Sequence, residues 1–145
     1  MQVDPRGQRF AAAVTTIVLI AVLVQGSWIL LACQALVFAL GSLFGLRYAP
    51  YGMVFKLLIR PRLAPPGDYE DAAPPRFAQG VGLVFALVGT AGYAMGIEWL
   101  GIGATAFALG AAFLNAAFGF CLGCEIYLLI RRISPKKHSD WEVPV

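Results

Sequence analysis

Cys121 and Cys124 are the residues best placed to do chemistry. They stand three positions apart in Asn115-Ala-Ala-Phe-Gly-Phe-Cys-Leu-Gly-Cys-Glu-Ile-Tyr127, near the end of a long apolar run. On a helix both sulfurs share a face, with Glu125 one turn past Cys121 and Asn115 farther round. Two thiols so placed can form a disulfide, hold a soft metal with other ligands, or relay sulfur as a persulfide. A long regular helix is awkward for the disulfide, which needs specific Cα and Cβ geometry, although Gly119 and Gly123 could loosen the chain there. The bland alternative is a pair of buried cysteines that only fill space.

Glu125 adds a constraint. A carboxylate near the end of a membrane span is costly unless it is paired or reaches water. Arg9 and Arg76 open the first and third apolar runs at the same level. One or both are expected to pair with Glu125, either as a clamp between helices or as cations that favour thiolate at Cys121 or Cys124. Cys33 lies at the opposite depth and reads as a small apolar filler. The only histidine, His138, is in the tail, so haem ligation is not expected and no cofactor is implied. One chain cannot complete a four-ligand zinc site from the pair, whereas a dimer could. The sequence has no P-loop, dinucleotide fingerprint, HExxH or serine elbow.

The elements that must hold these residues are membrane helices. The chain has 145 residues, 59% hydrophobic and only 13% charged, against about 25% charged in soluble domains. All eleven Lys and Arg residues flank two apolar blocks, 10–46 and 77–130. Each block is too long for one span and long enough for two. The expected fold is therefore all-α, a single four-span domain over 1–145. Its spans are 10–24, 28–46, 77–97 and 100–130, the last longer than the lipid core, so that with Trp99 outside the segment after about Phe120 lies at or beyond the inner interface. Outer turns fall at 25–27 and around Glu98, Trp99 and Gly101, with Trp28 and Trp99 as outer belt residues. A hairpin explains the first two runs better than a signal peptide, because the second run begins almost at once.

With every cation on one face, the positive-inside rule places that face, both termini and the 47–76 linker in the cytoplasm of a cell with this protein in its inner, or plasma, membrane. Residues 51–60 read as a short interfacial helix. Five prolines between Arg60 and Arg76 read as an extended linker. Arg9-Phe-Ala and Arg76-Phe-Ala open the two halves, and Phe38-Ala-Leu-Gly and Phe107-Ala-Leu-Gly recur in their second spans, the pattern of a parallel internal repeat. The pairs Gly41/Gly45, Gly92/Gly96 and Gly119/Gly123 are spaced for close helix approach, within the bundle or between copies in a homo-oligomer. The net charge of +3 is spread around spans and gives no nucleic-acid surface.

Arg76-Phe-Ala-Gln79 and Gly119-Phe-Cys-Leu-Gly-Cys-Glu-Ile-Tyr127 resemble a bacterial family of small integral membrane proteins, domain of unknown function 4395, over nearly the whole chain. The resemblance implies a small four-helix membrane protein with no established activity. The same motif is similar to the Gly-x-Cys ending of transmembrane domains fused to rhodanese-type sulfurtransferases, an analogy that implies thiol or sulfur chemistry. Two functions follow as expectations. In one, Cys121 and Cys124 exchange electrons or sulfur with a soluble thioredoxin-like or rhodanese-like partner. In the other, the chain is a scaffold or oligomeric subunit in the lipid bilayer, its Cys and Gly residues serving packing. A passage for metal or small molecules has little support, because the spans carry few polar residues.

Overall fold

Positive-φ glycines set the architecture by stopping each long helix where the chain must turn. The structure, a computed structural model, describes residues 2–3, 5–45, 49–62, 70–71 and 73–133. Helix α1 (Pro5–Gln25) is followed by Gly26 at φ 64° and then α2 (Trp28–Leu43). Ser27 caps α2, its Oγ accepting from the Leu30 amide at 3.2 Å. After Gly45 at φ 110°, α3 (Pro50–Val54) runs on as a π-helical turn (Phe55–Ile59) and a 3-10 turn (Arg60–Arg62). Helix α4 (Ala73–Ala94), a turn through Gly96 at φ 81°, and α5 (Glu98–Phe118) repeat the plan. Gly119 at φ 70° ends α5, and α6 (Leu122–Ile133) follows. Strands β1 (Gln2–Val3) and β2 (Glu70–Asp71) pair antiparallel, Val3 opposite Glu70.

The helix at 51–60 is present, but several expected boundaries move for identifiable reasons. The fourth apolar run is two helices, because Gly119 adopts the left-handed conformation that an L side chain resists. The second turn lies at 95–97, so Glu98 and Trp99 already belong to α5. Pro74 and Pro75 fall in the first turn of α4, where a missing N–H costs nothing. Arg47, His138, Lys136, Lys137 and residues 63–69 of the linker lie outside the described residues.

Among the described residues the regular structure is helical apart from the two-residue strands. Three helices (Arg6–Gln25, Ala73–Ala94 and Glu98–Phe118) are long and apolar enough to cross a membrane, while Trp28–Leu43 is apolar but shorter. The buried cluster is built from Leu19 and Val22 of α1, Leu31, Ala35 and Phe38 of α2, Ala86 of α4 and Ala108 of α5. Large apolar side chains also face outward, including Val24, Phe107 (72% exposed) and Trp99 (75% exposed). A water-soluble protein rarely exposes so much contiguous apolar surface.

The two halves repeat one set of contacts. Helix α1 packs mainly on α5, and α4 mainly on α2. Arg9, opening α1, donates from Nη2 to the Ala116 and Ala117 carbonyls at the end of α5 (3.1 and 3.3 Å). Arg76, opening α4, donates to the Ser42 and Leu43 carbonyls at the end of α2 (2.7 and 3.0 Å). Phe10 packs tilted against Phe55 at 5.8 Å, and Phe77 against Tyr127 at 5.6 Å. In each glycine pair one member turns the chain (Gly45, Gly96, Gly119) and the other admits a neighbour. A Cβ on Gly92 would stand 2.6 Å from the Gly101 amide nitrogen, so α4 and α5 meet backbone to backbone there.

A disulfide at the head of α6

The break at Gly119 creates the candidate site. The amides of Gly119 and Phe120 fold back onto the Asn115 and Leu114 carbonyls (3.0 and 3.3 Å) and close α5. Two residues later α6 begins, with Cys121 immediately before its first helical residue and Cys124 in its first turn. Cys121 and Cys124 are joined as a disulfide with Cα atoms 5.2 Å apart, inside the usual range of about 4.4–6.8 Å. The Cys121 Sγ also accepts the Cys124 amide hydrogen at 3.2 Å, in the place of an N-cap oxygen. Glu125 N–H to Cys121 C=O, at 3.0 Å, is the first bond of the new helix. A helix end, not a helix interior, is what brings the pair together.

The electrostatics follow from that position. Free amides and the macrodipole place partial positive charge at the start of α6, which favours anions there, including a thiolate. Glu125 lies exposed in the same first turn, and Arg131 and Arg132 lie in the last turn, each charge complementing the dipole. The expected pairing of Arg9 or Arg76 with Glu125 is replaced by something else. Among the described residues both guanidinium groups bond helix-terminal carbonyls, which carry partial negative charge and lack intrahelical partners. Arg9 also lies along the turn into Cys121, its Nε 3.8 Å from where a Gly119 Cβ would be. Arg76 is engaged at the end of α2 instead.

Packing fixes α6. Gly123, between the two cysteines, lies so close to α4 that an added Cβ would be 2.6 Å from the Ala78 Cβ. Beside Cys121, α1, α4, α5 and α6, together with Phe38 of α2, line an open cavity of about 230 Å³. Cys121 forms part of its wall, with Gln8, Thr15, Gln79 and Asn115 as its polar lining and Phe85 and Phe107 among its apolar lining. Sequence reading placed Asn115 near the cysteines but missed Gln8 and the cavity. The signal available for Gln8 and Gln79 was an amide side chain near the start of each half's first helix.

Elsewhere, Tyr51 donates to Gln34 Oε1 at 2.7 Å. Burial pushes the Tyr51 phenol above its ordinary value of 10.0, and Cys33 adds to the rise. Cys33 itself is a free, exposed thiol. Among the described residues no three or more His, Cys, Asp or Glu side chains group as a metal site.

No curated protein and no solved structure matches the chain. A family model does match residues 3–132, nearly the whole of the described structure, and the chain therefore belongs to the family described as Domain of unknown function (DUF4395).

Proposed function

We propose that this chain is a four-helix membrane protein whose Cys121–Cys124 pair exchanges disulfide with a soluble thioredoxin-like or rhodanese-like protein. The observation that carries the reading is a Cys-x-x-Cys disulfide at the amino end of α6, its Cys121 sulfur accepting an amide hydrogen. An incoming thiolate attacks one sulfur, the S–S bond breaks, and the other sulfur leaves as thiolate. The start of α6 stabilises that leaving anion. The partner's second thiolate then resolves the mixed disulfide, leaving the partner oxidised and Cys121 and Cys124 as a dithiol.

The membrane frame is part of the proposal. Helix α2, at 16 residues, crosses as the fourth span beside the three longer helices, which suits a locally thinned bilayer. Arg6, Arg9, Arg76, Arg131 and Arg132 gather at one end of the helices and Trp28 and Trp99 start the helices at the other. The positive-inside rule puts the disulfide at the cytoplasmic face of the cell membrane with both termini.

A second reading has one observation in its favour. The disulfide sits where Gly123 meets Ala78, so it could serve only to clamp α6 onto α4 in a scaffold or oligomeric subunit. Alkylation of reduced Cys121-only and Cys124-only variants separates the two. In inverted vesicles, an impermeant maleimide should label Cys121 with an apparent pKa well below the free-thiol value of about 8.5. Labelling that waits for denaturing detergent would leave the clamp as the role.

A further inference from the structure

Exchange with a soluble partner leaves a dithiol, and the cavity beside Cys121 has the properties needed to return it to a disulfide. We infer that this cavity binds the ring of a membrane quinone, which oxidises the Cys121–Cys124 dithiol. The inference rests on the thiol-exchange reading. In the step, two S–H bonds break and one S–S bond forms. Two electrons and two protons pass to the quinone, whose two carbonyl oxygens become the hydroxyls of the hydroquinone.

Four features of the cavity select this ligand. Its volume, about 230 Å³, lies below the roughly 300–1,000 Å³ of pockets for drug-sized molecules. That suits one substituted ring and excludes a peptide. Among the described residues its lining contains no charged side chain, so neither an anion nor a cation would be held there without a large desolvation cost. Its amides on Gln8, Gln79 and Asn115 are donors matched to carbonyl oxygens, whereas an acyl chain would leave them idle. Finally, Phe107, Leu122 and Ile126 line the cavity and are exposed on the apolar surface, which offers an isoprenoid tail a path into lipid. A carbonyl-bearing, uncharged, lipid-soluble ring is the ligand all four describe, and Cys121 forms part of the wall beside it.

The test uses the full chain, reduced and reconstituted in lipid nanodiscs, with decylubiquinone as oxidant. Its fully substituted ring blocks direct addition of sulfur to ring carbon. Quinone absorbance reports reduction, and an alkylation mass shift reports disulfide formation. The expected result is one quinone reduced per disulfide formed, with saturable dependence on quinone and no reduction by Cys121→Ser or Cys124→Ser. Ala112→Phe adds a ring within the lining and should raise the half-saturating quinone concentration at least tenfold. Asn115→Leu removes a donor without adding much bulk and should raise it at least threefold, a second route if the larger side chain disturbs folding. Quinone reduction unchanged in both variants would overturn the cavity as the site. Wild-type protein that exchanges disulfide with reduced thioredoxin yet never reduces quinone would overturn this inference and leave the exchange reading standing. Failure of that exchange itself would remove both.

Discussion

The two halves of the molecule share a frame and differ in the chemistry it carries. If Phe55 is aligned with Tyr127, each packed against the phenylalanine that follows an opening arginine, Ala49 falls where Cys121 does and Gly52 where Cys124 does. The backbone agrees. Met53 N–H bonds the Ala49 carbonyl at 3.0 Å just as Glu125 N–H bonds the Cys121 carbonyl at 3.0 Å. Ala49 begins α3 without a side-chain cap, while Cys121 begins α6 with its sulfur in the capping position. The first half therefore builds the break, the short helix and its aromatic contact without sulfur. On the proposed reading the second half keeps the disulfide for chemistry, since the first half builds a comparable frame without one.

The largest effect tests that argument directly. Replacing both cysteines, Cys121→Ala with Cys124→Ala, should abolish disulfide exchange while α6 stays docked. The loop closed is so short that chain entropy assigns the bond only about 2 kcal/mol. Thermal unfolding in detergent should show a modest shift, and limited proteolysis should find no new cleavage between Gly119 and Ile133. A variant that loses α6 would mean the sulfurs are structural and the comparison with Ala49 and Gly52 is misleading.

A smaller effect comes from moving the chemistry. The pair Ala49→Cys with Gly52→Cys should form a disulfide at the start of α3, detected as a second protected pair after alkylation and mass analysis. Its exchange rate should fall below that of Cys121–Cys124, because α3 passes into a π-helical turn after Val54, whereas α6 continues for 12 residues and supplies the stronger dipole. Equal rates would show that the helix behind the cysteines is irrelevant.

Much of the frame was legible from residue types. Glycine next to serine announced the first turn, and the long apolar runs announced the long apolar helices. The break at Gly119 was hinted at only by the glycine itself, because hydropathy continues unchanged through Phe118, Phe120 and Leu122. What ends α5 is a left-handed glycine together with Arg9, a residue more than a hundred positions away. Charge matching also misled. Glu125 was expected to attract Arg9 or Arg76, but helix-terminal carbonyls compete for the same guanidinium donors and hold them by geometry. The cavity depends on how the helices pack, so single residues such as Asn115 hinted at its place and nothing hinted at its size.

The two arginines give the finest discrimination between the halves. Each donates charge-assisted bonds to a helix end, Arg9 to α5 and Arg76 to α2. Both residues are exposed, so Arg9→Gln and Arg76→Gln should each cost about 1 kcal/mol of stability, with solvent reducing the value of the bonds. Their effects on sulfur should differ. Arg9 lies along the turn into Cys121, and a nearby cation lowers a thiol pKa, so its removal should raise the apparent pKa of reduced Cys121. Arg76→Gln should leave that pKa in place while lowering stability equally. The measurement is maleimide reaction rate against pH for the Cys121-only form of each variant. A rise in Arg9→Gln alone ties the repeated arginine to the redox half. An equal rise in both would mean that the field at Cys121 comes from the cationic face as a whole and that the repeated arginine has no private role beside the disulfide.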